Sequence, residues 1–526
     1  MPVRAAGGRR WVFRSAAMVC SAGLLVLLEL VCGLLGWGTD VTLRDAWASF
    51  DSGRPLFVPD GATGRVTTAP NRRRFFQQET FARRKAPGTF RVFCLGGSTV
   101  QGNPFGKQTA FSAWLQRGLE AVDPSRRWEV INCGGLSYAS YRVAAVLDEC
   151  LTYEPDLFVL CTGHNEFLED RSFGNIKRAP RWLAATVQTA SRLRTFNLAR
   201  QAWERFGSVP RARTRSAPGG AKLADEVDAM LDYEGGLKLY RRDAAWREGV
   251  IQDFEANVRH MVAASRRAGV PIILVKPVSN LRDCPPFKSQ HRDDLTPDEL
   301  ERWAAAMRRA APAPAGDPRA SMLDLEEAVA IDPRYAATWF ELGRACEAAG
   351  EVLRARAAYF EAREQDICPL RILAPMEAAL TRIAAEEGVT CLDWPGLLAA
   401  QAPCGIPGND SLLDHVHPSI PGHQQLAGSL MTTMAAHGWL DLPSEWLARR
   451  NRAWNHHLAS LPADYYDAGL HALEGLHAWT QGRADGPAVE YWALGRRPAQ
   501  RIVRLPIGAF RPTGRPIQSL HATPPH

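Results

Sequence analysis

The sequence predicts an α/β fold with a mostly parallel sheet. Short apolar runs bounded by turn residues recur at 90–95, 128–132, 156–161, 270–275 and 389–392, the pattern of buried strands. Helical patterns lie between them, for example over 111–121, 142–151 and 246–268, and strands alternating with helices favour parallel pairing. At 526 residues the chain is long for one ordinary domain. Its 46% hydrophobic and 23% charged residues are a globular balance.

The first element is an address. Residues 16–38 are nearly unbroken apolar sequence with Glu29 as the sole charge, long enough for one membrane span of about 20 residues. Arg4, Arg9, Arg10 and Arg14 precede it, so residues 1–15 are expected to stay cytoplasmic and the rest to be exported, periplasmic in a Gram-negative cell. A cleaved signal peptide is the rival, but the run is long and no clear A-x-A site follows it. Glu29 costs about 2.5–3.5 kcal/mol at the bilayer centre and marks a candidate helix–helix contact. Residues 39–87 read as a mixed juxtamembrane stretch. Within it Arg72–Arg74 and Arg83–Lys85 flank Phe75, Phe76 and Phe81, which we read as a solvated surface. The net charge of +7 is small for this length and gives no reason to expect nucleic acid.

The α/β region spans 88–437 and is interrupted twice. Residues 170–245 are patchily helical and basic, with a flexible loop at 210–220. Residues 285–371 contain a stretch from Tyr335 to Ala362 that resembles a tetratricopeptide repeat, with Trp339, Leu342, Gly343, Gly350, Ala355, Phe360 and Ala362 about where that repeat of roughly 34 residues wants them. One copy is too few for a solenoid, so this is expected to be a helical insertion packed on the α/β domain, a spacer or a surface for a protein partner. Residues 438–495 read as helical and 496–526 as a poorly ordered Pro- and Arg-rich tail. The 11 cysteines show no C-x-x-C pair. Neither a zinc ribbon nor a disulfide framework is supported, and Cys94, Cys133 and Cys161 fall on or beside core strands as small hydrophobes.

Four segments carry chemistry. Gly96-Gly97-Ser98 follows the first strand, so Ser98 sits at a strand-to-helix turn, where backbone N–H groups and a helix dipole favour negative charge. Asn132-Cys-Gly-Gly135-Leu-Ser137 follows the second strand and Gly163-His164-Asn165-Glu166 the third; Asp414-His415-Val416-His417-Pro418 lies near the end of the region. Loops after parallel strands meet at the carboxyl end of a sheet. Ser98 could attack an ester carbonyl, His417 could take and return its proton, and Asp414 could fix the imidazole tautomer. The Ser98 N–H, a backbone N–H of the second segment and the Asn165 amide could hold the oxyanion.

In this order the four blocks resemble the SGNH (GDSL-type) hydrolase superfamily. Gly97 replaces the Asp of its first block, Gly163-His164-Asn165-Glu166 its Gly-x-Asn-Asp, and Asp414 and His417 meet its Asp-x-x-His. The second block usually carries an oxyanion glycine five residues after the strand-end Asn; here that position is Ser137, with Gly135 as the other candidate donor. The resemblance implies a three-layer fold over roughly 88–170, 246–283 and 385–437, and a serine esterase without cofactor or metal.

The blander readings are that Ser98 caps a helix, Asn165 satisfies a turn, Glu166 is a surface or supporting group, Asp414 is a cap, and His456-His457 is exposed. A metal cluster of His415, His417 and His423 lacks the acidic or Cys pattern that would complete it. An α/β-hydrolase would want G-x-S-x-G, and Val100 stands where its second glycine belongs. The expected function is a membrane-anchored, extracytoplasmic esterase acting on acylated glycans or lipids. An O-acyltransferase on the same site and an idle envelope scaffold acting through the repeat helices are the alternatives.

Overall fold

The computed structural model describes residues 6–37, 55–61, 63–177, 190, 193–199, 236–310 and 317–481. The loop expected at 210–220 and the tail expected at 496–526 lie outside the described residues. Strands β1 (Phe57–Pro59), β2 (Arg65–Thr68) and β3 (Thr80–Ala82) form a small antiparallel sheet. Strands β4 (Thr89–Gly96), β5 (Arg127–Gly134), β6 (Leu157–Cys161), β7 (Ile272–Val275) and β8 (Thr390–Leu392) form a parallel sheet in the order β5-β4-β6-β7-β8. Each parallel strand matches a predicted apolar run to within two residues.

The strands read as continuous apolar runs because both faces of the sheet are covered. One face buries Phe93, Leu95, Ile131, Phe158, Leu160, Ile272 and Leu274 against helices α4 and α6. The other buries Val92, Cys94, Val130, Val159, Cys161, Ile273 and Val275 against helices α3 and α13. In chain order the helices are α1 (Ala6–Leu35), α2 (Ser98–Gln101), α3 (Phe111–Val122), α4 (Ser140–Cys150), α5 (Glu166–Lys177), α6 (Ala244–Arg267), α7 (Pro297–Ala310), α8 (Pro318–Ile331), α9 (Ala336–Ala348), α10 (Val352–Gln365), α11 (Ala374–Glu387), α12 (Trp394–Ala399), α13 (Ile420–Ala436), α14 (Trp446–Ser460) and α15 (Ala463–Gln481). All 11 cysteines are free thiols.

The structure departs from the sequence reading in four places. The helix that Ser98 opens is one turn long, short for the dipole expected there: it stops at Gly102, whose φ of 94° is left-handed, and the helix predicted over 111–121 starts separately at Phe111. The dipole argument for Ser98 therefore loses its long helix. The aromatics of the juxtamembrane stretch are not surface. Phe75, Phe76 and Phe81 are buried, and Arg91, itself inaccessible, stacks on Phe81 and donates to the Ala82 carbonyl at 2.8 Å. His457 is buried on Trp114 with Nε2 2.8 Å from the Gln108 carbonyl, while His456 is exposed. The region 285–371 contains four successive helices, α7 to α10, each packed on the next. Their core of Phe340, Leu342, Ala355 and Tyr359 reaches the α/β domain through Ile406.

Helix α1 includes one segment, Ser15–Leu35, long and apolar enough to cross a membrane by length and composition, a test a signal sequence also passes. Glu29 does make a helix contact there. It accepts from the Arg194 N–H at 2.7 Å, the Thr195 N–H at 3.0 Å and the Thr195 hydroxyl at 2.9 Å, caps for the turn that begins at 194.

Close backbone packing holds β5 on α2: a Cβ on Gly134 would stand 2.1 Å from the Gln101 amide nitrogen. Gly134→Ala is therefore expected to lower the unfolding free energy by about 1–3 kcal/mol in denaturant titration of the full chain in detergent. An alanine variant as stable as the parent would contradict this packing.

Candidate active site

Gly96 ends β4, which lies between β5 and β6, level with Gly134 on one side and Cys161 on the other. The loops leaving β4, β5 and β6 consequently start side by side. Ser98 is the first residue of α2. Asn132 ties that turn to β5: its amide donates to the Val100 carbonyl and Ser112 Oγ, and its Oδ1 accepts from the Gly134 N–H. Asn165 follows β6 and donates through Nδ2 to the Tyr138 carbonyl at 3.1 Å. A Cβ on Gly97 would lie 2.9 Å from that Nδ2. Gly97, at the position of the family's Asp, is thus what lets the amide come this close.

The N–H groups of the second segment's two candidate donors differ in their partners. The Gly135 N–H is spent on the Gly96 carbonyl at 2.9 Å, which argues against Gly135. The Ser137 N–H has no partner among the described residues, and Ser137 holds a left-handed φ of 60°. That is a glycine conformation kept by a serine, and it explains why a glycine is usual there.

The fourth segment is a tight turn closed by the Leu413 N–H on the His417 carbonyl and by a Leu412–Pro418 bridge. Inside it, Asp414 Oδ1 accepts from the Val416 and His417 N–H groups at 2.8 and 2.7 Å, and Oδ2 lies 2.6 Å from His417 Nδ1. His417 Nε2 lies 2.8 Å from Ser98 Oγ. With Nδ1–H donated to Asp414, Nε2 is free to accept the Ser98 hydroxyl proton. Burial of Asp414 would raise its pKa, but the His417 and His415 rings and their hydrogen bonds outweigh that and hold the carboxyl well below the usual range.

The remaining histidines do other things. Burial pushes His423 down to about 3, and its ring lies against Phe111 and Trp394, away from a shared site with His415. Burial also pushes the imidazoles of His415 and His164 down. His164 Nδ1 accepts from the Ile372 N–H at 3.1 Å. Among the described residues no group of three or more His, Cys, Asp or Glu is placed to hold a metal. Glu166 is not a surface group: it is buried and receives the N–H and hydroxyl of Ser140 at 2.7 and 2.8 Å, which fastens α4 to α5.

Sequence reasoning missed three contributors. Asn103 Nδ2 lies 3.4 Å from His417 Nε2, beside the reacting pair; the turn signal Gly102-Asn103-Pro104 was its only trace. Asn280, just past β7, donates to the Asp414 carbonyl at 3.0 Å while its own N–H goes to the His415 carbonyl at 2.9 Å. The segment before β3 walls the site, with Phe76 edge-on to Tyr138 and the Phe75 carbonyl accepting from the Leu136 N–H and from Gln101 Nε2.

Residues 94–344 match the model of the GDSL-like Lipase/Acylhydrolase family. The matched segment is similar to that family and makes up a little under half of the chain. The chain is accordingly a hydrolase acting on ester bonds. The GDSL-like segment includes Ser98, Ser137 and Asn165 and ends before Asp414 and His417, so the last two join the site through the geometry above. Solved structures similar to the chain include an acetylxylan esterase from Geobacillus stearothermophilus (12% identity over 65% of this chain and 93% of that one, TM-score 0.28). A GDSL-like lipase from Bacteroides thetaiotaomicron is another (10% identity, 66% and 88% covered, TM-score 0.26). No curated protein sequence matches the chain.

Replacing Ser98 or His417 by alanine is expected to lower kcat for an aryl ester by orders of magnitude with the melting temperature little changed. A His417→Ala enzyme near the parent rate would remove that ring from the chemistry. Asp414→Asn is expected to cost roughly 10³–10⁴-fold in kcat through the wrong tautomer. Because the folded pKa of Asp414 lies below its unfolded value, its contribution to stability is present at neutral pH and is lost as pH falls through the folded value. The stability gap between parent and Asp414→Asn should therefore shrink below about pH 4; a gap that widens there would contradict the assignment.

Proposed function

We propose that this chain is a serine esterase that cleaves carboxylic esters through an acyl-enzyme on Ser98. The observation that carries the reading is the relay Ser98 Oγ–His417 Nε2–Nδ1–Asp414, at 2.8 and 2.6 Å. His417 takes the hydroxyl proton as Ser98 attacks the carbonyl carbon and returns it to the leaving alcohol. A water then attacks the acyl carbon as His417 takes its proton, and His417 returns that proton to Ser98 Oγ as the C–O bond breaks and the acid leaves. The charge on the tetrahedral oxygen falls to the Ser98 N–H, the Ser137 N–H and the second hydrogen of the Asn165 amide. Asp414 holds the tautomer and stabilises the imidazolium without taking its proton. The proposed site residues ask for no cofactor.

The membrane address belongs to the same proposal. Helix α1 anchors the chain with residues 1–15 in the cytoplasm and the catalytic domain outside, facing acyl groups on envelope glycans or lipids. Helices α7 to α10, one repeat-like insertion, serve as a spacer or as a surface for a partner protein.

The test is activity-based labelling of the full chain in detergent. A fluorophosphonate probe is expected to modify Ser98 in the parent chain and nothing in a folded Ser98→Ala variant, and short-chain aryl esters are expected to be turned over. A folded parent chain that neither labels nor hydrolyses would refute the reading. Product analysis with an acetyl donor and a glycan acceptor separates the chemistries: released acid supports hydrolysis, and acetylated glycan supports transfer.

A further inference from the structure

A cavity of about 170 Å³ opens at the carboxyl ends of β7 and β8 and contains neither Ser98 nor His417. Open α/β sheets bind ligands at this end. One wall is the loop after β7, with Lys276, Ser279 and Leu281; the opposite wall is α10 of the helical insertion, with Arg356 and Phe360; Ile406 closes the floor. The apolar part of the lining is thus a small pocket, and the polar part is unbalanced in a specific way.

Two of its three cations are already committed. Arg363 is held by Glu364 and Glu377, at 3.1 and 2.8 Å. Lys276 lies 3.6 Å from Asp393. Arg356 has no acidic or hydrogen-bond partner among the described residues. Independently, Ser279 is buried, and its Oγ has no hydrogen-bond partner among the described residues. A buried hydroxyl without a partner costs free energy unless something completes it.

We propose that this cavity is a binding site for a small monocarboxylate with a short apolar tail. One carboxylate oxygen takes the Ser279 hydroxyl proton in a hydrogen bond, and the carboxylate faces the Arg356 guanidinium, a geometry suited to paired N–H donors. The tail packs on Leu281, Phe360 and Ile406. A phosphate dianion suits the site less, because Glu377 and Asp393 also line it and only one guanidinium is uncompensated. The site does not depend on the esterase reading, since none of its residues belongs to the relay.

The probes are sodium butyrate and, separately, inorganic phosphate, titrated calorimetrically into the full chain in detergent. Butyrate is expected to bind saturably to the parent chain. Arg356→Met is expected to weaken it about tenfold or more, as loss of one charged hydrogen-bond partner does, and Ser279→Ala to weaken it less, both with unchanged aryl-ester turnover. Absence of saturable butyrate binding overturns the proposal. So does butyrate binding that both variants leave intact, since the acid would then be sitting elsewhere, the catalytic cleft included. Phosphate that displaces butyrate with equal or higher affinity overturns the carboxylate assignment. Arg356 is exposed, so Arg356→Met is expected to fold, and its melting curve checks that directly.

Discussion

The carboxyl end of β4, between β5 and β6, governs this molecule. Gly96 is hydrogen-bonded into register with Gly134 and Cys161, and its carbonyl takes the Gly135 N–H. That ladder decides where three loops begin, and so sets the spacing between Ser98, Ser137 and Asn165. It also consumes the Gly135 N–H, while the Ser137 N–H has no partner among the described residues. The glycines here serve proximity more than flexibility. Gly134 admits the α2 backbone and Gly97 admits the Asn165 amide; a side chain at either would push apart groups that must lie within hydrogen-bond reach.

The second constraint is electrostatic. Asp414 is fully buried, which would favour its neutral form, yet the His417 and His415 rings and their hydrogen bonds make the charged form the stable one. A buried carboxylate costs free energy unless each oxygen is engaged, and here the turn itself supplies the donors. Asn280 braces that turn from the β7 loop, which ties the relay to the far half of the sheet. The β7 loop therefore serves both places: Ser279, in the cavity beside the helical insertion, directly precedes Asn280, which holds the Asp414 turn.

Much of this was legible in the sequence, for identifiable reasons. The five parallel strands stood out because strands buried on both faces read as uninterrupted apolar runs. The four chemical segments stood out because each places a reactive side chain just beyond a run or a turn. What escaped notice depends on contacts between distant residues. Arg91 looks like a surface residue until Phe81 and the Ala82 carbonyl close over it, and Phe75 and Phe76 look like parts of a basic patch until they meet the β5 loop. His457 looked exposed beside His456, but a helix puts adjacent residues on different faces. The one-turn length of the helix after Ser98 rests on the left-handed stop at Gly102, which the periodicity from Phe111 onward does not report. Asn103 and Asn280 carry no periodic signal at all, and only folding brings them to His417 and Asp414.

The claim on which the account stands is that acyl transfer passes through Ser98. Rapid-quench mass spectrometry of the full chain mixed with p-nitrophenyl acetate tests it most directly. The account predicts an acetyl group on the peptide that contains Ser98 within the first turnover, formed together with a burst of p-nitrophenol. Sustained p-nitrophenol release with Ser98 unmodified, or with the acetyl group on another residue, would contradict it.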